Sequence, residues 1–168
     1  MGATGDTGRA AVKESLALDL KVRAMVHSID KRSTVLEELG AEAVAGDLLD
    51  INTIRSAMEG VDAAYLCWPV KPGVIHATVN FAQAAKEAGV STIINLSQRS
   101  ANRESTSNSC RDSFIAEEVL NWSGPGVIHL RPTYFLEWLL YPVAVALYAE
   151  GYSSHAGRQG PALADRGG

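Results

Sequence analysis

Gly2, Gly5 and Gly8 stand three residues apart in Met1-Gly2-Ala3-Thr4-Gly5-Asp6-Thr7-Gly8, and the chain then runs into a helical pattern from Arg9 to Leu18. That spacing has a chemistry. A first glycine permits a tight turn, a second lets backbone N–H groups approach a pyrophosphate with no Cβ in the way, and a third lets the helix pack close to a sheet. The start of the helix then offers N–H groups and positive dipole to phosphate. Alone, a G-x-x-G-x-x-G loop is equally a plain turn at a helix start, so its meaning rests on the elements around it. Other constellations are thin. His27, His76, His129 and His155 lack metal-ligand spacing, Cys67 and Cys110 form no C-x-x-C, and Gly-x-Ser-x-Gly is absent, so neither a metal site nor a hydrolase elbow is expected.

Strand-like and helical runs alternate behind the loop. Strands are expected at 22–26, 43–45, 61–68, 90–97 and 127–130, and helices at 33–39, 51–58, 73–88 and 113–122. Alternating units of this length imply an α/β fold: a doubly wound parallel sheet of Rossmann type with helices on both faces. In that fold the loop follows a central strand. Nothing but Met1 precedes it here, so the first strand is missing or incomplete and the natural chain is expected to carry upstream residues. Without it, the strands around Val22 and Val61 either face each other across a gap of two inter-strand spacings, ~9–10 Å, or close up and distort the crevice.

The composition, 168 residues with 46% hydrophobic and 20% charged, describes one core, assigned to residues 1–150. A net charge of -4 with scattered lysines and arginines argues against direct nucleic-acid binding. The absence of a visible signal peptide and the two isolated cysteines point to a reduced, cytoplasmic setting. The apolar run 134–149 is interrupted by Glu137 and Pro142, which is short for a membrane span. It reads as a helix meant for burial, whose exposure would make it a homodimer contact. Residues 151–168 are glycine-rich without periodicity and are expected to form a disordered or truncated tail.

Gly2 to Gly8, Val22-Arg23-Ala24-Met25-Val26-His27, Gly46-Asp47-Leu48-Leu49-Asp50, Gly60-Val61-Asp62-Ala63 and Leu130-Arg131-Pro132-Thr133-Tyr134-Phe135 together resemble the NmrA-like atypical short-chain dehydrogenase/reductases. The resemblance covers about residues 2–149 and implies a Rossmann-type domain that binds NADP(H) or NAD(H). That family contains quinone or ketone reductases and redox-sensing regulators that bind cofactor without turnover. Its members usually continue into a C-terminal substrate lobe, which 151–168 cannot make. The resemblance implies that Thr4, Gly5, Asp6 and Thr7 face the pyrophosphate, with Gly2 and Gly8 completing the cofactor-binding loop, that Asp47 and Leu48 lie beside the adenine, and that Pro132, Thr133 and Tyr134 border the nicotinamide. It also puts Ser97 where such enzymes keep a catalytic or substrate-binding serine.

The residues after Val26 set the cofactor, because an acid there holds the ribose hydroxyls of NAD whereas a cation holds the 2′-phosphate of NADP. His27, where the family commonly has arginine, with Lys31 and Arg32 favours NADP over NAD, while Asp30 could meet ribose hydroxyls if the loop folds back. Lys31 and Arg32 are also what a solvated helix start looks like. No Tyr-x-x-x-Lys exists to supply the usual acid, and the helix expected to carry it has Ser109, Cys110, Arg111, Ser113 and Phe114. No catalytic residue is assigned on this basis. Two readings follow: an NADP-preferring oxidoreductase, or a remnant of one, acting on an unknown quinone or carbonyl acceptor, and a non-catalytic NADP(H)/NAD(H) sensor that binds a protein partner. A methyltransferase using S-adenosylmethionine ranks below both, because its ribose demands an acid where His27 stands.

Overall fold

The computed structural model describes residues 2–69, 71–133 and 135. The chain divides into two units, 1–132 and 133–168, and every helix and strand named below belongs to the first. The apolar run 134–149 and the tail 151–168 lie outside the described residues, apart from Phe135.

The elements run α1 (Asp6–Ala17), β1 (Arg23–Val26), α2 (Lys31–Glu38), β2 (Glu42–Ala45), α3 (Ile51–Met58), β3 (Ala63–Cys67), α4 (Val74–Glu87), β4 (Thr92–Leu96), α5 (Asn108–Trp122) and β5 (Gly126–Leu130). Strand and helix alternate throughout, and every strand pair is parallel. Three helices begin earlier than their apolar periodicity shows, α2 by two residues and α1 and α5 by more. α1 starts at Asp6 because Gly5 serves as its N-cap. α5 starts at Asn108, within a polar run, where the Gln98 amide donates to Ser109 O at 3.0 Å and to Ser113 Oγ at 2.7 Å. Polar side chains from outside a helix can fix its first turns where no apolar stripe marks them.

The strands form two sheets, β1-β2 and β3-β4-β5. Among the described residues β1 and β3 are therefore both edge strands, joined by no ladder and not lying side by side at neighbouring-strand spacing. Of the two expected arrangements the structure adopts separation rather than closure. The core divides accordingly. Val12, Ala24, Val26, Leu36 and Ala41 pack around β1 and α2, while Leu48, Ile54, Leu66, Phe81, Ile93 and Leu120 pack under the three-stranded sheet. Met25 reaches from β1 into the larger cluster. Arg23 braces the same region: its Nη1 donates to Ala57 O at 3.1 Å and Glu59 O at 2.7 Å, meeting the carbonyls that end α3, and its Nε donates to Glu42 Oε2 at 2.8 Å.

Candidate dinucleotide site

The glycine loop begins at Gly2, whose φ of +127° lies in the region that favours glycine. Its carbonyl accepts from Gly5 N at 3.0 Å, closing the turn. Gly8 is buried, and a Cβ built on it would fall 1.8 Å from Gly2 O. The third glycine is thus required by the loop's own backbone folding over the helix, rather than by a sheet strand beneath it. α1 opens on Gly5 without a side-chain cap hydrogen bond. Thr7 Oγ1 lies 3.6 Å from Cys67 Sγ, tying this turn to the carboxyl end of β3.

A cavity of about 390 Å³ lies at that end of the strands, within the ~300–1,000 Å³ of small-ligand sites. Gly2, Thr4, Gly5 and Thr7 form one wall, Val26, His27, Ser28 and Arg32 another, and Cys67, Pro69 and Lys71 a third. Six residues expected to bind cofactor, Gly2, Thr4, Gly5, Thr7, His27 and Arg32, therefore line one cleft. Asp6 instead pairs with Arg9 at 2.9 Å on the exposed side of α1. Lys31 is exposed at the start of α2 and does not line the cleft.

Of the remaining expected residues, Gly8, Asp47, Leu48, Ser97 and Pro132 are not among those lining the cleft. Asp47 Oδ1 accepts from Leu49 N at 2.9 Å, a turn bond that leaves Oδ2 available. Leu48 is fully buried among Ile54, Met58 and Leu66, so its side chain packs the core while Leu49 is the exposed leucine. Ser97 follows β4, one residue past the Cys67–Leu96 pair of the register. Its Oγ is buried beside Glu117, whose carboxyl it helps hold down. Pro132 O accepts from Arg99 N at 3.2 Å. Thr133 belongs to the second unit, and Tyr134 lies outside the described residues.

Sequence reasoning missed Cys67, Pro69 and Lys71. The rule that ligands of open α/β sheets bind beyond the carboxyl ends of the strands would have flagged them. Lys71 Nζ sits 4.7 Å from the centre of the Trp68 ring, whose Nε1 donates to Lys71 O at 3.2 Å. This cation–π contact holds a positive charge at the cleft. Tyr65, also on β3, has its phenol pushed up to about 12, chiefly by burial and further by the neighbouring Cys67.

Around α5, where the resemblance places an acid and a lysine, the structure builds a polar network. His129 Nε2 meets Asn121 Oδ1 at 3.0 Å, and its Nδ1 meets Asn95 Nδ2 at 3.2 Å, so the neutral Nε2–H tautomer satisfies both. Glu117, 2% exposed, accepts from Arg131 Nε at 2.9 Å and from Nη2. Burial is the largest influence and pushes its carboxyl up, but the Arg131 and Ser97 hydrogen bonds together with the nearby Arg131 charge hold it below the ordinary value. Three serine hydroxyls, that of Ser100 foremost, draw the Cys110 thiol down. Among the described residues no group of three or more His, Cys, Asp or Glu could hold a metal ion, and no helix is long and apolar enough to cross a membrane.

A family described as NAD(P)H-binding matches residues 2–145. An NAD(P)H azoreductase of Xenophilus azovorans is 27% identical over 153 residues, which make up 90% of this chain and 53% of that protein. An NADPH-dependent quinone oxidoreductase from Escherichia coli, solved with NADPH, superposes with a TM-score of 0.73 at 27% identity over 89% of this chain and 53% of the other. A Citrobacter triphenylmethane reductase solved with NADP(H) gives the same TM-score at 20% identity, covering 89% of this chain and 54% of the other, and so speaks to the fold. The chain spans about half the length of these relatives. The chain belongs to the NAD(P)H-binding family, within the NmrA-like, atypical short-chain dehydrogenase/reductase group.

Proposed function

We propose that the chain is the cofactor-binding part of an NADP-preferring reductase whose acceptor is a quinone, azo or carbonyl compound. The observation that carries the reading is the single cleft in which the glycine loop, the basic end of β1 and the exit of β3 converge. Its residues fit a dinucleotide on chemical grounds. Gly5 leaves room for close backbone approach, since a Cβ placed on it would meet only Gly2 O within 4 Å, and Thr4 and Thr7 bring hydroxyls. Lys71 supplies a cation for pyrophosphate, while His27 and Arg32 supply donors for a 2′-phosphate. Asp47 Oδ2 remains to accept from the adenine amino group, and the buried Ser97 hydroxyl at the end of β4 is assigned to the nicotinamide or acceptor side.

A bound nicotinamide would supply the hydride; the protein's part is to hold and orient it. The azoreductase and quinone oxidoreductase relatives favour an acceptor among electron-poor conjugated compounds, which take a hydride without a protein acid as strong as the absent Tyr-x-x-x-Lys pair would provide. That same absence supports the second reading, a dinucleotide sensor without turnover. Titration calorimetry with NADPH and NADH tests binding. NADPH oxidation followed by absorbance with menadione and an azo dye then separates the readings. Acceptor-dependent oxidation supports the reductase, tight binding without oxidation supports the sensor, and no binding of either dinucleotide removes both.

A further inference from the structure

The cation best placed for a 2′-phosphate is already engaged. Arg32 Nη2 donates to Asp30 Oδ2 at 2.7 Å, and Arg32 Nε donates to the same carboxylate at 3.2 and 3.4 Å. These are the guanidinium's side fork, one of the two pairs of donors with which arginine grips a carboxylate or a phosphate. Asp30 is held independently of Arg32's side chain. It is the N-cap of α2, where its Oδ1 accepts from Arg32 N at 2.8 Å, and its own N–H donates to the buried Ser33 Oγ at 2.9 Å. The carboxylate is therefore a fixed feature of the loop.

Resting on the NADP reading, we infer that Asp30 sets the ratio of NADP to NAD use by occupying, as an internal anion, the Arg32 fork that a 2′-phosphate would take. The Arg32 bonds keep Asp30 ionised, with its carboxyl held down at about 2, so the competition operates across the neutral range. With the pair intact, a 2′-phosphate meets a neutralised cation and a nearby negative charge, and must share or displace Asp30. NAD has no phosphate at this point and meets no such obstacle. Its ribose 2′-hydroxyl can donate to a carboxylate. His27 and Lys71 also line the cleft, but no carboxylate is bonded to either among the described residues, so Arg32 is where charge balance discriminates.

The test uses Asp30→Asn, because asparagine is an equally good N-cap and removes only the charge. Asp30→Ser, another strong cap, is the second variant should the first fold poorly, and thermal melting checks both. NADPH and NADH are titrated by calorimetry into the unaltered chain, both variants and Arg32→Gln. NADPH affinity is expected to rise about tenfold in the Asp30 variants, the effect of freeing one charge-assisted contact, with NADH unchanged or weaker. Arg32→Gln is expected to bring NADPH down toward NADH. Equal or lower NADPH-to-NADH preference in folded Asp30 variants, with both cofactors still bound, overturns the role of Asp30 and leaves the dinucleotide reading standing. No binding of either cofactor by any form overturns both.

Discussion

At the scale of single residues, the loop tolerates little. A methyl group on Gly8 would overlap Gly2 O at 1.8 Å, and both partners are backbone, so neither can swing away. Gly8→Ala is expected to abolish NADPH binding and lower the melting temperature, whereas Gly5→Ala, with 3.4 Å to its nearest protein atom, should fold and lose binding only. Equal binding by Gly8→Ala and the parent would refute the loop geometry. Glu117 gives a pH signature. Its folded carboxyl sits below its unfolded value of ~4.3, so its contribution is complete above that pH and fades as pH falls through the folded value. Glu117→Gln is expected to cost about 1–2 kcal/mol at neutral pH, discounted for the half-exposed Arg131, and to flatten the acid limb of a urea-unfolding series. An unchanged limb would assign the acid sensitivity elsewhere. Of these residues the glycines were legible from spacing. The double duty of Asp30 was not, because a cap and an ion pair share one carboxylate and sequence shows only that an acid precedes two cations.

At the scale of elements, the alternation of strand and helix was readable from periodicity because apolar residues recur on the buried faces of strands and helices alike. The early start of α5 was not, since Gln98 anchors it through Ser109 and Ser113 from far back in the chain. The same holds for Lys71, in a loop whose position at the cleft depends on where β3 ends. The strand pairing predicts an exchange pattern. β4 is flanked on both sides, so its amides, Ile93 and Asn95 included, should exchange slowly, whereas among the described strands β1 pairs only with β2 and should protect alternate amides. Uniform protection along β1 in hydrogen-exchange mass spectrometry or NMR would show that its second edge is covered in solution.

At the scale of the whole first unit, the parallel α/β class follows from the order of elements, and its division into two sheets follows from the lack of a described strand between β1 and β3. A short fused segment of β-branched apolar residues ahead of Met1 is expected to raise the melting temperature if it adds to those edges; a fusion that leaves it unchanged would mean the edges do not accept a strand. The cleft itself takes His27 and Arg32 from the smaller sheet's side and Cys67, Pro69 and Lys71 from the larger. A dinucleotide seated there would work as a rivet through two plates. Without it the plates are fastened by contacts such as the Arg23 brace, Met25 and the glycine loop, and heating should loosen the smaller one first. With it, the two should melt in a single step at a higher temperature, so that the chain's cooperativity, and not merely its stability, is on loan from its ligand.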